Sequence, residues 1–152
     1  MIRLAKLREL SFHEWKILLG SLFLLPYVAL LLKLTGYGKT RKFFPAPITI
    51  SKGMSQELQM NKAQQISRLV DAAARHGFYH ANCLKRSLVL AWFLRRHGIP
   101  FELRIGTRKT TGSEKEMQHF SAHAWIESNG VVVNENENVN ERFTPFDGHI
   151  DS

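Results

Sequence analysis

The sequence predicts an α+β fold: a central helix carrying a candidate nucleophile, packed on a small antiparallel sheet and preceded by a hydrophobic helical N-terminal arm. Three observations lead there. Apolar residues recur with a period of about 3.6 from Leu58 to Ala74 and again through the Cys83 segment, and the period changes to about 2 after Pro100. The only cysteine, Cys83, stands at the start of a helix, in Asn82-Cys83-Leu84-Lys85-Arg86-Ser87-Leu88. Forty residues on, Ser121-Ala122-His123-Ala124-Trp125-Ile126-Glu127 puts a histidine in an alternating strand pattern.

Taken in order, Ser11-Phe12-His13-Glu14 matches a capping box, with Ser11 as N-cap and Glu14 three residues later. Sixteen uncharged residues then separate Lys16 from Lys33. As a helix they span about 24 Å, short of the roughly 30 Å hydrocarbon core, and Pro26 should kink them. A helix or helical hairpin on a protein surface is therefore expected ahead of membrane-surface association through residues 12–34, and a true span comes last. No small-residue cleavage site follows, so a secretory signal fits poorly. Gly36, Gly38, Pro45, Pro47 and Gly53 should break regular structure across residues 35–54. The chain divides into an arm (1–42), a linker (43–54) and a main domain (55–152).

In that domain Ser55 can cap a helix with apolar positions Leu58, Ile66, Leu69, Val70, Ala73 and Ala74, and Gly77 can end it. The Cys83 helix is apolar on more than one face, through Leu84, Leu88, Ala91, Trp92 and Phe93, which marks it as the central buried helix. Its stop signal is Arg95-Arg96-His97-Gly98 with Pro100 beyond. Phe101, Leu103 and Ile105 form one face of a strand ending at Gly106, and Thr107 to Gln118 reads as a polar loop, expected to be mobile and beside the site. The His123 strand meets Val131-Val132-Val133 across Ser128-Asn129-Gly130, a hairpin signal. Asn134 to Asn140 is polar and low in complexity, and Phe143, Pro145 and Phe146 should pack back on the sheet.

A length of 152 residues supports one domain with a real core plus an appendage. One cysteine excludes an internal disulfide framework and a Cys-rich zinc site, so a reducing, cytoplasmic compartment is the natural home. His119 and His123 on one strand would stand about 13 Å apart, too far for one metal ion. No phosphate-binding glycine loop is present, and no metal or organic cofactor is expected. The net charge of +8 is concentrated: residues 1–42 hold eight Lys/Arg against two Glu, and the rest holds thirteen basic against eleven acidic residues. That places the excess beside the apolar arm, where an anionic membrane surface or a partner protein fits better than nucleic acid, for which there is no motif.

A lone cysteine is by default a small buried hydrophobe. Its position argues for more, because the first helical turn offers unpaired N–H groups and the positive end of the dipole, which favour a thiolate. Lys85 and Arg86 add positive charge nearby. The N–H groups around Asn82, Cys83 and Leu84 can receive the oxygen of an attacked carbonyl, although Asn82 more commonly serves as N-cap. Trp125 shares a face with His123 and can wall a cleft, shield the imidazole or simply fill the core.

The residue that orients His123 depends on hairpin register. A three-residue turn pairs Glu127 with Val131 and sets His123 opposite Glu135. A two-residue type I′ turn at Asn129-Gly130 pairs Ser128 with Val131, so that His123 faces Asn136 with Asn134 diagonal. We favour Glu135, and expect changes at Asn134 and Asn136 to do little.

Cys on a helix, His on a strand and an acid on the next strand is the chain order of the transglutaminase-like, or papain-like, superfamily. The strings Cys83-Leu84-Lys85-Arg86-Ser87-Leu88, Arg95-Arg96-His97-Gly98-Ile99-Pro100, Ile105-Gly106 and Ala122-His123-Ala124-Trp125-Ile126-Glu127 resemble the leader-cleaving cysteine proteases of lasso-peptide biosynthesis. The similarity runs from about Asn82 to Phe146. That family typically has Asp where this chain has Glu135, and it too prefers the three-residue turn. The resemblance implies a Cys83-His123-Glu135 triad that cuts a ribosomally made precursor peptide between leader and core, without a cofactor. It also implies a separate leader-binding protein and an asparagine-synthetase-like, ATP-dependent macrocyclase as partners. Acyl transfer to an amine, as in transglutaminases, and an inactive membrane-associated scaffold are the competing expectations.

Overall fold

The computed structural model describes residues 10–42, 53–108, 122–135, 139 and 143–145. Linker residues 43–52, the expected loop from residue 109 to Gln118, His119, Asn136 and Phe146 lie outside the described residues. The elements are α1 (Phe12–Lys42), α2 (Gln56–His76), α3 (Cys83–Arg96), β1 (Glu102–Arg108), β2 (Ala122–Ser128), β3 (Val131–Val132) and β4 (Phe143–Pro145). The strands form one antiparallel sheet in the order β3-β2-β1-β4.

Local chemistry sets the helix starts. Ser11 Oγ accepts from the Glu14 N–H at 3.3 Å while the Ser11 N–H donates to Glu14 Oε2 at 2.7 Å, completing the capping box. Ser55 Oγ accepts from the Leu58 N–H at 3.3 Å and Asn82 Oδ1 from the Lys85 N–H at 3.2 Å, so α2 and α3 start where their caps predict. Pro26, expected to kink α1, sits inside it, and the only non-helical backbone comes at Gly36, with φ 72° and ψ 172°. Side chains lacking in glycine forbid that region to other residues. Helical pairing then resumes to Lys42, within a stretch expected to be irregular, because Thr35 and Thr40 tie across the break. Thr40 Oγ1 donates to Gly36 O at 2.7 Å and lies 3.1 Å from Thr35 Oγ1.

The arm proves to be a wall of the fold rather than an appendage. Ile17, Leu25 and Val28 of α1 are at most 4% exposed and share one core with Ile66, Val70 and Ala73 of α2 and Leu88, Leu90 and Leu94 of α3. Contact is close: a Cβ on Gly77, at the end of α2, would meet Leu22 Cδ2 at 2.6 Å, and one on Gly20 would meet Phe93 Cζ at 3.2 Å. Leu58 is exposed, being one residue, about 100°, out of phase with the buried stripe Gln59-Ala63-Ile66-Val70-Ala73.

Helix α3 is buried from Ser87 to Ala91 and lies between the other helices and the sheet. Ile126 and Val133 face that helical core, whereas Trp125, Val132, Val139 and Phe143 form a second cluster on the far face of the sheet. Strand β1 runs past Gly106 to Arg108, two residues beyond its expected end. It is paired there on both sides, Thr107 with Ala122 of β2 and with Thr144 of β4.

Candidate active site

Cys83 is the first residue of α3, half-buried, and among the described residues its thiol makes no hydrogen bond, to His123 or to any other group. Its neighbours place it. Residues four apart share a helix face, so Cys83 stands one turn above Ser87, whose Oγ donates to Ala124 O at 3.0 Å. Arg86, one residue nearer the helix start, reaches Glu135, and Glu135 meets His123. The first turn of α3 therefore stands at the His123 end of β2. Asn82 spends its carbonyl on the Lys85 N–H, which leaves the N–H groups of Cys83 and Leu84 as the open donors of the helix start.

His123 Nε2 lies 3.2 Å from Glu135 Oε1, so Nδ1 is the ring nitrogen left for another partner. The ring is stacked on Phe143 at 4.9 Å between centroids and on Trp125 at 6.3 Å, and is partly open to solvent. Trp125 is 0% exposed and its Nε1–H donates to Glu127 Oε1 at 2.8 Å. It backs the imidazole from within and does not line an open cleft.

The register differs from the three-residue turn. Ser128 pairs with Val131 and Glu127 with Val132, and Asn129 (φ 50°) and Gly130 (φ 76°) form a two-residue type I′ turn. An unbroken ladder would then carry Glu135 one residue away from His123. It does not, because the ladder stops after Val133, whose N–H donates to Ile126 O at 2.9 Å, and the return bond from the Ile126 N–H goes to Asn134 Oδ1 at 2.8 Å. Asn134 thus stands in for a backbone carbonyl, the chain bends over residues 133–135, and Glu135 comes back to His123. Asn134 Nδ2 also donates to Ser87 Oγ at 3.0 Å, tying the bend to α3.

Two further charged residues complete the group. Arg86 Nη2 donates to Glu135 Oε1 at 3.2 Å and Nη1 to Asp71 Oδ1 of α2 at 3.0 Å, with Arg86 only 18% exposed. Burial pushes the Asp71 carboxyl above the ordinary carboxylate range, against the pull of Arg86 and Arg75. Arg86 was visible in sequence only as positive charge near the cysteine, and Asp71 was not singled out. Nothing local in the sequence joins α2, α3 and the bend after β3. The Lys85 ammonium is turned to Tyr79, its Nζ donating to the phenol oxygen at 2.6 Å.

The family model described as the transglutaminase-like superfamily matches residues 26–147, well over half of the chain. No curated protein and no solved structure matches it.

Proposed function

We propose that this chain, which belongs to the transglutaminase-like superfamily, is a cysteine peptidase that removes the leader from a ribosomally made lasso-peptide precursor. The observation that carries the thiol chemistry is the contact of His123 Nε2 with Glu135 at the end of β2 that receives the first turn of α3. The lasso-peptide substrate rests on the resemblance of the Cys83 and His123 strings.

In this reading the Cys83 thiolate attacks the scissile carbonyl, and the oxygen takes negative charge beside the N–H groups of Cys83 and Leu84. His123, protonated at Nδ1, gives that proton to the leaving amine as the C–N bond breaks, and a thioester remains. It then takes a proton from water, whose oxygen attacks the thioester, and Cys83 leaves as thiolate. Glu135 holds the imidazole through Nε2 and stabilises its charged form. No metal or organic cofactor enters these steps. A separate leader-binding protein would present the precursor, and an asparagine-synthetase-like macrocyclase would consume the freed amine, all in the cytoplasm.

The test is cleavage of precursor by the purified chain together with the leader-binding protein. Cys83→Ala and His123→Ala should each abolish cleavage while keeping the circular dichroism of the wild type, and an electrophilic peptide should label Cys83. Near wild-type turnover by either variant ends the peptidase reading. The family description also favours acyl transfer, in which an amine resolves the thioester. A labelled primary amine that appears in product would establish that reaction instead, and an unlabelled Cys83 would leave an inactive scaffold.

A further inference from the structure

Helix α1 is apolar all round, yet it buries only one side. Ile17, Leu25 and Val28 enter the core, and the opposite face carries Trp15, Leu19, Phe23, Tyr27, Leu30 and Leu34, exposed by 38% at Trp15 and up to 71% at Phe23 and Leu34. Steps of three and four keep these six on one side of the helix, a continuous stripe about 28 Å long. Ser21, the one aliphatic hydroxyl between Lys16 and Lys33, is fully buried and donates to Ile17 O, so it does not interrupt the stripe. An apolar strip of this extent marks an interaction surface.

We infer that this stripe lies on the surface of an anionic lipid bilayer, with α1 in the plane of the membrane and the remainder of the domain on its aqueous side. Length and composition alone would let α1 cross a membrane. Packing forbids it. His13 meets His97 of the α3 terminus at 2.9 Å, Glu14 meets Gln65 of α2 at 2.7 Å, and Leu22 abuts Gly77, so α2 and α3 accompany α1 along its buried side. Those helices carry Lys62, Arg68, Asp71, Arg75 and Arg86. Taking them to the bilayer centre would cost about 2.5–3.5 kcal/mol for each charge even on the most lenient scale.

The charge pattern selects lipid over a second copy of the chain. Lys16 and Lys33 close the stripe at its two ends, Lys39 and Lys42 follow, all four are exposed, and residues 1–42 contain eight Lys/Arg against two Glu. Two copies packed stripe to stripe would bring these lysines together. An anionic headgroup layer meets them with opposite charge while Trp15 and Tyr27 occupy the headgroup boundary.

The experiment is cosedimentation of the full chain with vesicles of phosphatidylcholine, with and without about a quarter of phosphatidylglycerol. Binding should require the anionic lipid and weaken at high salt. The exposed double change Phe23→Asp/Leu30→Asp should weaken it by about tenfold or more while keeping the circular dichroism, and Lys16→Glu/Lys33→Glu should abolish the preference for anionic vesicles. No binding at low salt, or equal binding by Phe23→Asp/Leu30→Asp, overturns the proposal. So does a dimer in lipid-free solution that the double change dissociates. Precursor cleavage without lipid reads the peptidase function separately.

Discussion

Arg86 and His123 converge on a single atom, Oε1 of Glu135, each at 3.2 Å. Because Arg86 also holds Asp71, the carboxylate that meets the histidine is anchored to both α2 and α3. Arg86→Met should cost about 1–3 kcal/mol in urea unfolding, since two charge-assisted bonds are lost and Asp71 is left unpaired. It should also lower turnover, through Glu135 alone. Combining it with Glu135→Gln should therefore add little to the rate loss of Glu135→Gln, and full additivity would show that Arg86 acts elsewhere.

Glu135→Gln should lower turnover by about tenfold to a thousandfold, less than the ~10⁴ lost when a serine-protease carboxylate is neutralised, because a thiolate needs less help from its base. Glu135→Asp gives the residue that the resembled family carries, yet in this register it shortens the reach by about 1.5 Å and draws the carboxylate off both partners. Reduced turnover is expected. Turnover at or above wild type would mean that the bend after Val133 does not fix the carboxylate.

Asn134, expected from sequence to be silent, satisfies the Ile126 N–H and bonds Ser87 within the interface of α3 and β2. Asn134→Ala leaves the Ile126 donor unpaired, at a cost of about 1–3 kcal/mol. Released from the bend, Glu135 should also shift, so turnover should fall together with stability. Thermal unfolding and precursor cleavage of the one variant check both.

What the sequence made legible was local. The Ser11-Glu14 box and the Ser55 and Asn82 caps each need only a few neighbouring residues, and each forms. Register was misread because two turn types fit one tripeptide, and the compensating bend depends on a side chain replacing a backbone acceptor. The approach of His123 to Glu135 was thus anticipated through the wrong ladder. The place of α1 was illegible for a different reason: an apolar helix reads alike whether a core or a lipid surface receives it, and α1 buries one side while leaving the other open.

His13 and His97 link the ends of α1 and α3 through their Nε2 atoms, 2.9 Å apart. His97 Nδ1 lies 2.8 Å from Phe93 O, a carbonyl that only accepts, so Nδ1 carries the proton and neutral His97 accepts from His13 through Nε2. Burial first, then Lys62, His13 and Arg96, hold the His97 pKa below the ordinary 6.5. Folded protein therefore binds fewer protons here than unfolded protein. The contribution is complete above pH 6.5 and is lost as pH falls through the lowered folded value. Urea unfolding should show lower stability at acidic than at neutral pH, with part of that slope removed in His97→Gln.

Truncation of α1 separates a structural wall from a removable arm. Starting the chain after Lys42 strips Ile17, Leu25 and Val28 from the core they share with α2 and α3, and it bares the Leu22 contact at Gly77. The shortened chain should lose cooperative unfolding and aggregate, where a dispensable arm would leave a more soluble domain. Leu25→Ala offers a milder version, since Leu25 is 1% exposed and its truncation should cost about 2–5 kcal/mol. Phe23→Asp, two residues away but on the open face, should leave stability nearly unchanged. Equal stability of the Leu25 and Phe23 variants would mean that α1 does not pack against α2 and α3 in solution.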